Sequence, residues 1–275
     1  MISVVILTLN EQAVLPGCLS SLSWCDDVLV FDSFSSDDTM EVVRRAGARV
    51  LQRAFTNYAD QRNAALRDGN FKHPWVLMLD ADERVPSELA EEMKRVLATA
   101  PKSVTMYRMR RKDMFLGQWI KRSSGYPTWF GRLVRPHNVR VEREINEEYH
   151  TDGEAGFLQE HLHHFPFEKG FKHWIERHNR YSTMEVTALT AEASLRVPLT
   201  AFFSANPVRR RRALKLFAYR MPGRPFLVFL YLYLFRLGIL DGRAGLTFCT
   251  LRMVYEYMIN IKMKELRRRQ NGLPL

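Results

Sequence analysis

The stretch VLMLDADERV (76–85) carries four apolar side chains straight into Asp80, Asp82 and Glu83. Carboxylates at the end of a buried strand repel one another and lose hydration, a cost that pairing relieves. A hard divalent cation would provide that pairing, and such an ion bridges naturally to diphosphate oxygens. An acidic turn left in water answers the same question. Two further apolar runs end in polar clusters. SVVILTL (3–9) contains Thr8 and leads into Asn10 and Glu11, and DVLVFD (27–32) ends in Asp32, followed by Ser33.

The elements that would position these residues alternate in period. The run 3–9 is continuous and apolar, as expected of a parallel strand buried on both faces, and 27–32, 48–52 and 75–80 read as the second, third and fourth strands. Between them, Leu15, Leu19 and Leu22 repeat at helical spacing, with Asn10 as N-cap. SSDDTMEVVRRAG predicts a second helix stopped by Gly47, and NYADQRNAALRDG a third closing at Gly69. Strand–helix alternation of this kind predicts an α/β fold around a mostly parallel sheet with right-handed crossovers. Ligands of such sheets bind beyond the carboxyl ends of the strands, so the three polar clusters converge on one rim. No GxGxxG follows the first run and no GxxxxGK[ST] occurs, which disfavours a dinucleotide fold and a P-loop NTPase.

After residue 85 the alternation stops. A helix opens at Pro86 and Ser87, with glutamates early and Lys94 and Arg95 late, the order the helix dipole favours. SVTMYRMRR (103–111) alternates as an antiparallel strand would, RLVR (132–135) is a short strand candidate, and a long helix starts near Phe171. The 275 residues and 46% hydrophobic content suit one large domain or a domain with an appendage. The three cysteines form no CxxC, which fits a reducing compartment without a disulfide framework or zinc site. No basic region precedes the first apolar run, so no cleaved leader is expected.

Taken in order, SVVILTLNE, VLVFDSFSSDDT, YADQRNAAL and VLMLDADE resemble the family 2 glycosyltransferases of GT-A fold. RLVRP, INEEYHTDG, LHHFPF, HNRYS and LGILDGRAGL resemble their lipopolysaccharide-core β-glucosyltransferase subgroup. The resemblance implies a metal-dependent, inverting hexosyl transfer from a nucleotide-sugar, UDP-glucose by default, to a cell-envelope glycan or glycolipid acceptor. It assigns Thr8, Asn10, Glu11, Asp32, Arg62, Asn63 and Asp80 to the donor, and Asp82 and His164 to Mn²⁺ or Mg²⁺. Glu147 and Glu148 become the candidates for the base that takes the acceptor's proton, although Asn146 departs from the histidine common at that position. Trp129 and Arg132 are candidates for an acceptor platform, or equally for a core aromatic and a solvated arginine.

The net charge of +11 is uneven: −5 over residues 1–100, +4 over 101–200 and +12 over 201–275. In the last stretch FLVFLYLYLF (226–235) is ten apolar residues long, about half a bilayer span, between basic clusters. The expected division is a catalytic domain over 1–205, its nucleotide half ending near 100, and a basic helical region over 206–275. That region suits the anionic inner face of the cytoplasmic membrane, for a chain otherwise in the cytoplasm, or packing against a second copy. A nucleotidyltransferase would need a Gly-rich basic loop after its first strand, and TLNEQAVLPG is not one. A nucleic-acid-binding module would interleave aromatic platforms with its basic runs, whereas here those runs flank apolar helices.

Overall fold

The computed structural model describes residues 2–142, 148–193, 221 and 223–275. Two compact units divide them: Met1–Trp119 with Tyr126–Lys169, and Ile120–Gly125 with Gly170–Leu275. The boundary expected near residue 205 lies outside the described residues.

In the first unit the apolar runs become β1 (Ile2–Thr8), β2 (Val28–Asp32), β3 (Arg49–Gln52) and β4 (Trp75–Asp80). They pair in parallel in the order β3-β2-β1-β4. The sheet continues through β8 (Trp129–Val134), antiparallel to β4 and to β6 (Val104–Phe115). β11 (Glu154–His164) then runs parallel to β6 and carries the two-residue β5 (Glu83–Arg84) on its far edge. β7 (Gln118–Trp119) turns back on β6, and β9 (Val139–Glu142) pairs with β10 (Glu148–Thr151) as a separate hairpin.

Burial on both sides explains the apolar runs of β1, β2 and β4, whereas β3 lies at the sheet edge with Val50 and Gln52 exposed. Leu77 and Leu79 of β4 pack with Leu15 of α1 (Leu15–Ser20), Val43 of α2 (Thr39–Arg45), and Leu89 and Met93 of α4 (Ser87–Ala98). The alternate residues Val76 and Met78 pack with Ala64, Ala65 and Leu66 of α3 (Tyr58–Asp68). The period of two therefore places each neighbouring side chain in a different layer.

Asn57 caps α3, its side chain accepting the Asp60 N–H at 2.8 Å. Asn10 is not the cap of α1. That helix begins at Leu15, and Asn10 sits at φ +58° with its side-chain oxygen accepting the Ser36 N–H at 2.8 Å. A short amide tolerates the left-handed region and competes for backbone donors, so Asn10 stitches two loops together instead. α2 starts at Thr39, directly after the polar residues 35–38, and of these Ser35 and Ser36 are engaged with Asn10 and Asp32.

In the second unit α5 (Gly170–Ala193) packs Val186 and Leu189 against Ile259 of α7 (Gly242–Gln270). Lys262 reinforces the contact, its ammonium lying 2.7 Å from the side-chain oxygen of Asn179 and 2.8 Å from the Ser182 hydroxyl. α6 (Arg224–Leu230) runs into a π-helical turn, Tyr231–Phe235, and a 3₁₀ turn, Gly238–Asp241, before α7 begins. Buried Glu256 of α7 meets Arg224 at 2.6 Å and Arg252 at 3.0 Å. No single helix among the described residues is long and apolar enough to cross a membrane.

Candidate active site at the carboxyl ends of the strands

The acidic tip of β4 is neutralised largely from within. Asp80 meets Arg62 of α3 at 2.6 Å with one carboxylate oxygen and Arg132 of β8 at 2.7 Å with the other. Burial works against its charge, but Arg132 and Arg62 outweigh that and hold its carboxyl well below the usual range. Glu83 is fully enclosed. It accepts the Asp80 N–H at 3.0 Å, pairs with Arg132 at 2.9 Å and lies 3.5 Å from Arg111. Two carboxylates and three arginines thus lock the turn after β4, leaving Asp82 to be placed by it.

Asp82 faces His164. Its Oδ2 lies 3.3 Å from the ring Nε2, while Nδ1 of the same ring lies 2.7 Å from Asp113. Register accounts for the second contact, because His164 of β11 sits directly beside Asp113 of β6. Arg111, two residues back on the same face of β6, meets Asp113 at 3.1 Å. The Phe165 N–H donates to the Asp82 carbonyl at 2.8 Å and ties the turn to the end of β11. Burial and Arg111 oppose a charge on His164, but Asp82 and Asp113 prevail and the ring is pushed up to about 9.

The donor set at this point, one carboxylate oxygen and one imidazole nitrogen converging from different elements, fits a divalent ion that takes its remaining ligands from diphosphate and water. Among the described residues no group of three or more His, Cys, Asp or Glu side chains gathers as a self-sufficient ion site. Asp113 stands behind His164 as the partner that orients a ligating ring.

The other sequence-predicted residues fall into two groups. Thr8 and Asp32 are buried and paired across β1 and β2, the Thr8 hydroxyl donating at 2.9 Å. Asp32 also accepts from the Ser35 N–H, the Ser35 hydroxyl and Gln52. These donors overcome the burial cost and hold its carboxyl below its ordinary value. Glu11 is paired with Lys169 at 2.6 Å, and the same ammonium donates to the Asn10 carbonyl at 2.7 Å. These four residues form a connected rim over β1 and β2.

The second group is engaged elsewhere. Both amide atoms of Asn63 bond the backbone of Val141, each at 2.8 Å, so this side chain holds β9 against α3. Arg132 turns inward to Asp80 and Glu83. Trp129 lies under the Arg110 guanidinium, 4.8 Å from its ring centre, and edge-on to Phe157 at 5.0 Å. Glu148 opens β10 and is exposed, whereas Glu147 lies outside the described residues.

Asp113, Arg111 and Lys169 were not singled out from the sequence. The alternation of β6 carried the signal for the first two, since residues 111 and 113 share a strand face; nothing local marked Lys169.

A family model described as glycosyl transferase family 2 matches residues 3–165, more than half of the chain and the whole span from β1 to the residue after His164. The chain belongs to glycosyl transferase family 2. As a glycosyltransferase of that family it has the GT-A fold, whose parallel half is the β3-β2-β1-β4 block. It is similar to the lipopolysaccharide core biosynthesis glycosyltransferase LpsC of Rhizobium meliloti, with 28% identity over 67% of this chain and 70% of that protein. An uncharacterized glycosyltransferase of Rickettsia felis is 27% identical over 60% of this chain and 62% of its own length. Among solved structures, glucosyl-3-phosphoglycerate synthase from Mycobacterium tuberculosis aligns at 24% identity over 41% of this chain and 44% of that one, with a TM-score of 0.35. The family match ends before α5, so the second unit stands outside it except for Ile120–Gly125.

Proposed function

We propose that this glycosyltransferase moves a hexose, with inversion, from a nucleotide-sugar to a hydroxyl of a cell-envelope glycolipid such as lipopolysaccharide core. The observation that carries the reading is the convergence of Asp82 and His164 at 3.3 Å beside a β4 tip whose other carboxylates are neutralised by Arg62 and Arg132. The likeness to LpsC supports the envelope acceptor, and UDP-glucose is the donor to test first.

Asp82 and His164 would hold Mn²⁺ or Mg²⁺, and the ion would supply fixed positive charge to the departing nucleotide diphosphate. The residues of the chain do the positioning. Arg62 and Arg132 fix the Asp80 carboxylate in one orientation beside the donor. Lys169 fixes Glu11 and the Asn10 backbone at the rim over β1, where the nucleoside would lie. Preorganised groups of this kind need no rearrangement as charge develops. The acceptor's proton would go to a carboxylate of the 147–148 pair, with Glu147 as the base. The same reading puts the chain on the inner face of the cytoplasmic membrane, where such an acceptor is built.

The test is a screen of nucleotide-sugars for thermal stabilisation and donor hydrolysis, each with and without Mn²⁺ or Mg²⁺. Stabilisation by one nucleotide-sugar that depends on the ion supports the reading, and indifference to all of them refutes it. Glu147→Gln should keep that stabilisation while transfer falls by about a hundredfold or more.

A further inference from the structure

Helix α7 has two apolar faces, and among the described residues only one is buried. Ala244, Gly245, Cys249, Glu256 and Ile259 are its buried residues and share one side. From Arg243 to Lys264 the exposed residues are Arg243, Leu246, Val254, Tyr257, Ile261 and Lys264. At 3.6 residues per turn these six fall within one stripe on the opposite side, roughly a quarter of the circumference wide. Its exposed middle residues are all apolar, the half-buried Thr250 between them turns its hydroxyl to the Leu246 carbonyl, a cation closes each end, and no acid interrupts it. A surface helix in water carries polar residues on this side.

The corner that feeds α7 is equally apolar and firmly built. The segments Arg224–Phe235 and Gly238–Gln270 meet at a bend of 76°. Asp241 clamps the bend by accepting the N–H groups of Arg122 and Ser123, at 2.9 and 2.8 Å, and the Ser123 hydroxyl at 2.5 Å. Gly245 lets the Gly238–Asp241 turn fold tightly onto the start of α7, since a Cβ there would come within 2.1 Å of the Gly238 carbonyl. From this clamped corner Phe235 (79% exposed), Leu240 (67%), Tyr231, Leu234, Leu237 and Ile239 project outward. Contiguous exposure of large apolar side chains on this scale marks an interaction surface.

We infer that α7 lies flat on an anionic bilayer, with its Leu246–Val254–Tyr257–Ile261 stripe and the Tyr231–Leu240 corner buried among the headgroups. Charge selects this occupant. Residues 221–275 hold nine Lys and Arg against three acids: Asp241 is spent on the corner, Glu256 is buried with Arg224 and Arg252, and Glu265 pairs with Arg269. Cations bounding an apolar stripe suit long side chains that reach headgroup phosphates while their stems stay among acyl chains. About 30 residues of helix lie along some 40 Å of surface. The inference extends the glycolipid reading but rests on the second unit alone, so either can fail without the other.

The experiment is co-sedimentation of the full chain with phosphatidylcholine vesicles, with and without phosphatidylglycerol, at increasing NaCl. Binding should require phosphatidylglycerol and weaken with salt. Tyr257→Asp with Ile261→Asp should lower it at least tenfold, while the unfolding midpoint and donor hydrolysis stay at the parent values. Tyr257→Trp should move to shorter emission wavelength on binding and be quenched by brominated acyl chains. Unchanged binding by the double variant, or no quenching, overturns the inference. So does a dimer in sedimentation equilibrium that the double variant splits, in a chain that ignores vesicles, because the stripe would then belong to a second copy.

Discussion

Asp113 and His164 are direct neighbours across β6 and β11, and a carboxylate oxygen of the first stands 2.7 Å from Nδ1 of the second. That contact turns Nε2 toward Asp82. Asp113→Ala should therefore weaken Mn²⁺ binding by about tenfold to a hundredfold, the usual effect of removing the partner of a ligating histidine. Asp82→Asn should weaken it further. Calorimetric titration of Mn²⁺ measures both, and parent affinity in Asp82→Asn would move the ion elsewhere.

Arg132 is the shared counter-ion of Asp80 and of fully enclosed Glu83. Arg132→Ala leaves buried Glu83 with the longer 3.5 Å contact to Arg111 and should destabilise the fold by about 3 kcal/mol. Arg132→Ala with Glu83→Gln should recover part of the loss. Urea unfolding measures this. A side chain acting only on the acceptor would leave stability untouched.

Asn63 bonds both backbone groups of Val141. Asn63→Ala should cost about 1–3 kcal/mol in unfolding free energy, the range for a buried hydrogen-bonded pair. Donor affinity should change little once stability is accounted for. A large loss of nucleotide binding at unchanged stability would return Asn63 to the donor site.

Acid should destabilise the protein in two stages. His161 is held down to about 4 by burial, with Arg110 and Lys112 adding to the effect, and His178 is held at about 4 chiefly by burial. In the unfolded chain both take up protons from about pH 6.5. Unfolding then gains protons between about pH 6.5 and 4, so stability declines as pH falls through that window. Asp27 and Asp32 follow. Their carboxyls lie below the ordinary value because hydrogen-bond donors overcome burial, so the stability they contribute is full above the unfolded carboxylate value and is lost as pH falls through their folded values. Urea midpoints from pH 7 to 3 should show both stages, and His161→Gln should flatten the upper one.

The sequence by itself determined the parallel half of the sheet, since runs such as VLMLD have to be covered on both faces and their polar ends have to meet at one rim. It also determined α3 through the stretch NYADQRNAALRDG, and the family through an ordered set of motifs. Only the tertiary structure decided how the acidic triplet is neutralised. Asp80 and Arg132 are 52 residues apart, and His164 and Asp113 are 51 apart. Those pairings depend on which strands lie side by side and in what register, an irregularity between Tyr107 and Arg108 included. Local periodicity fixes which face a side chain occupies. Which charge it meets there depends on strands that the chain brings together from far apart, and on burial strong enough to make an unpaired carboxylate intolerable.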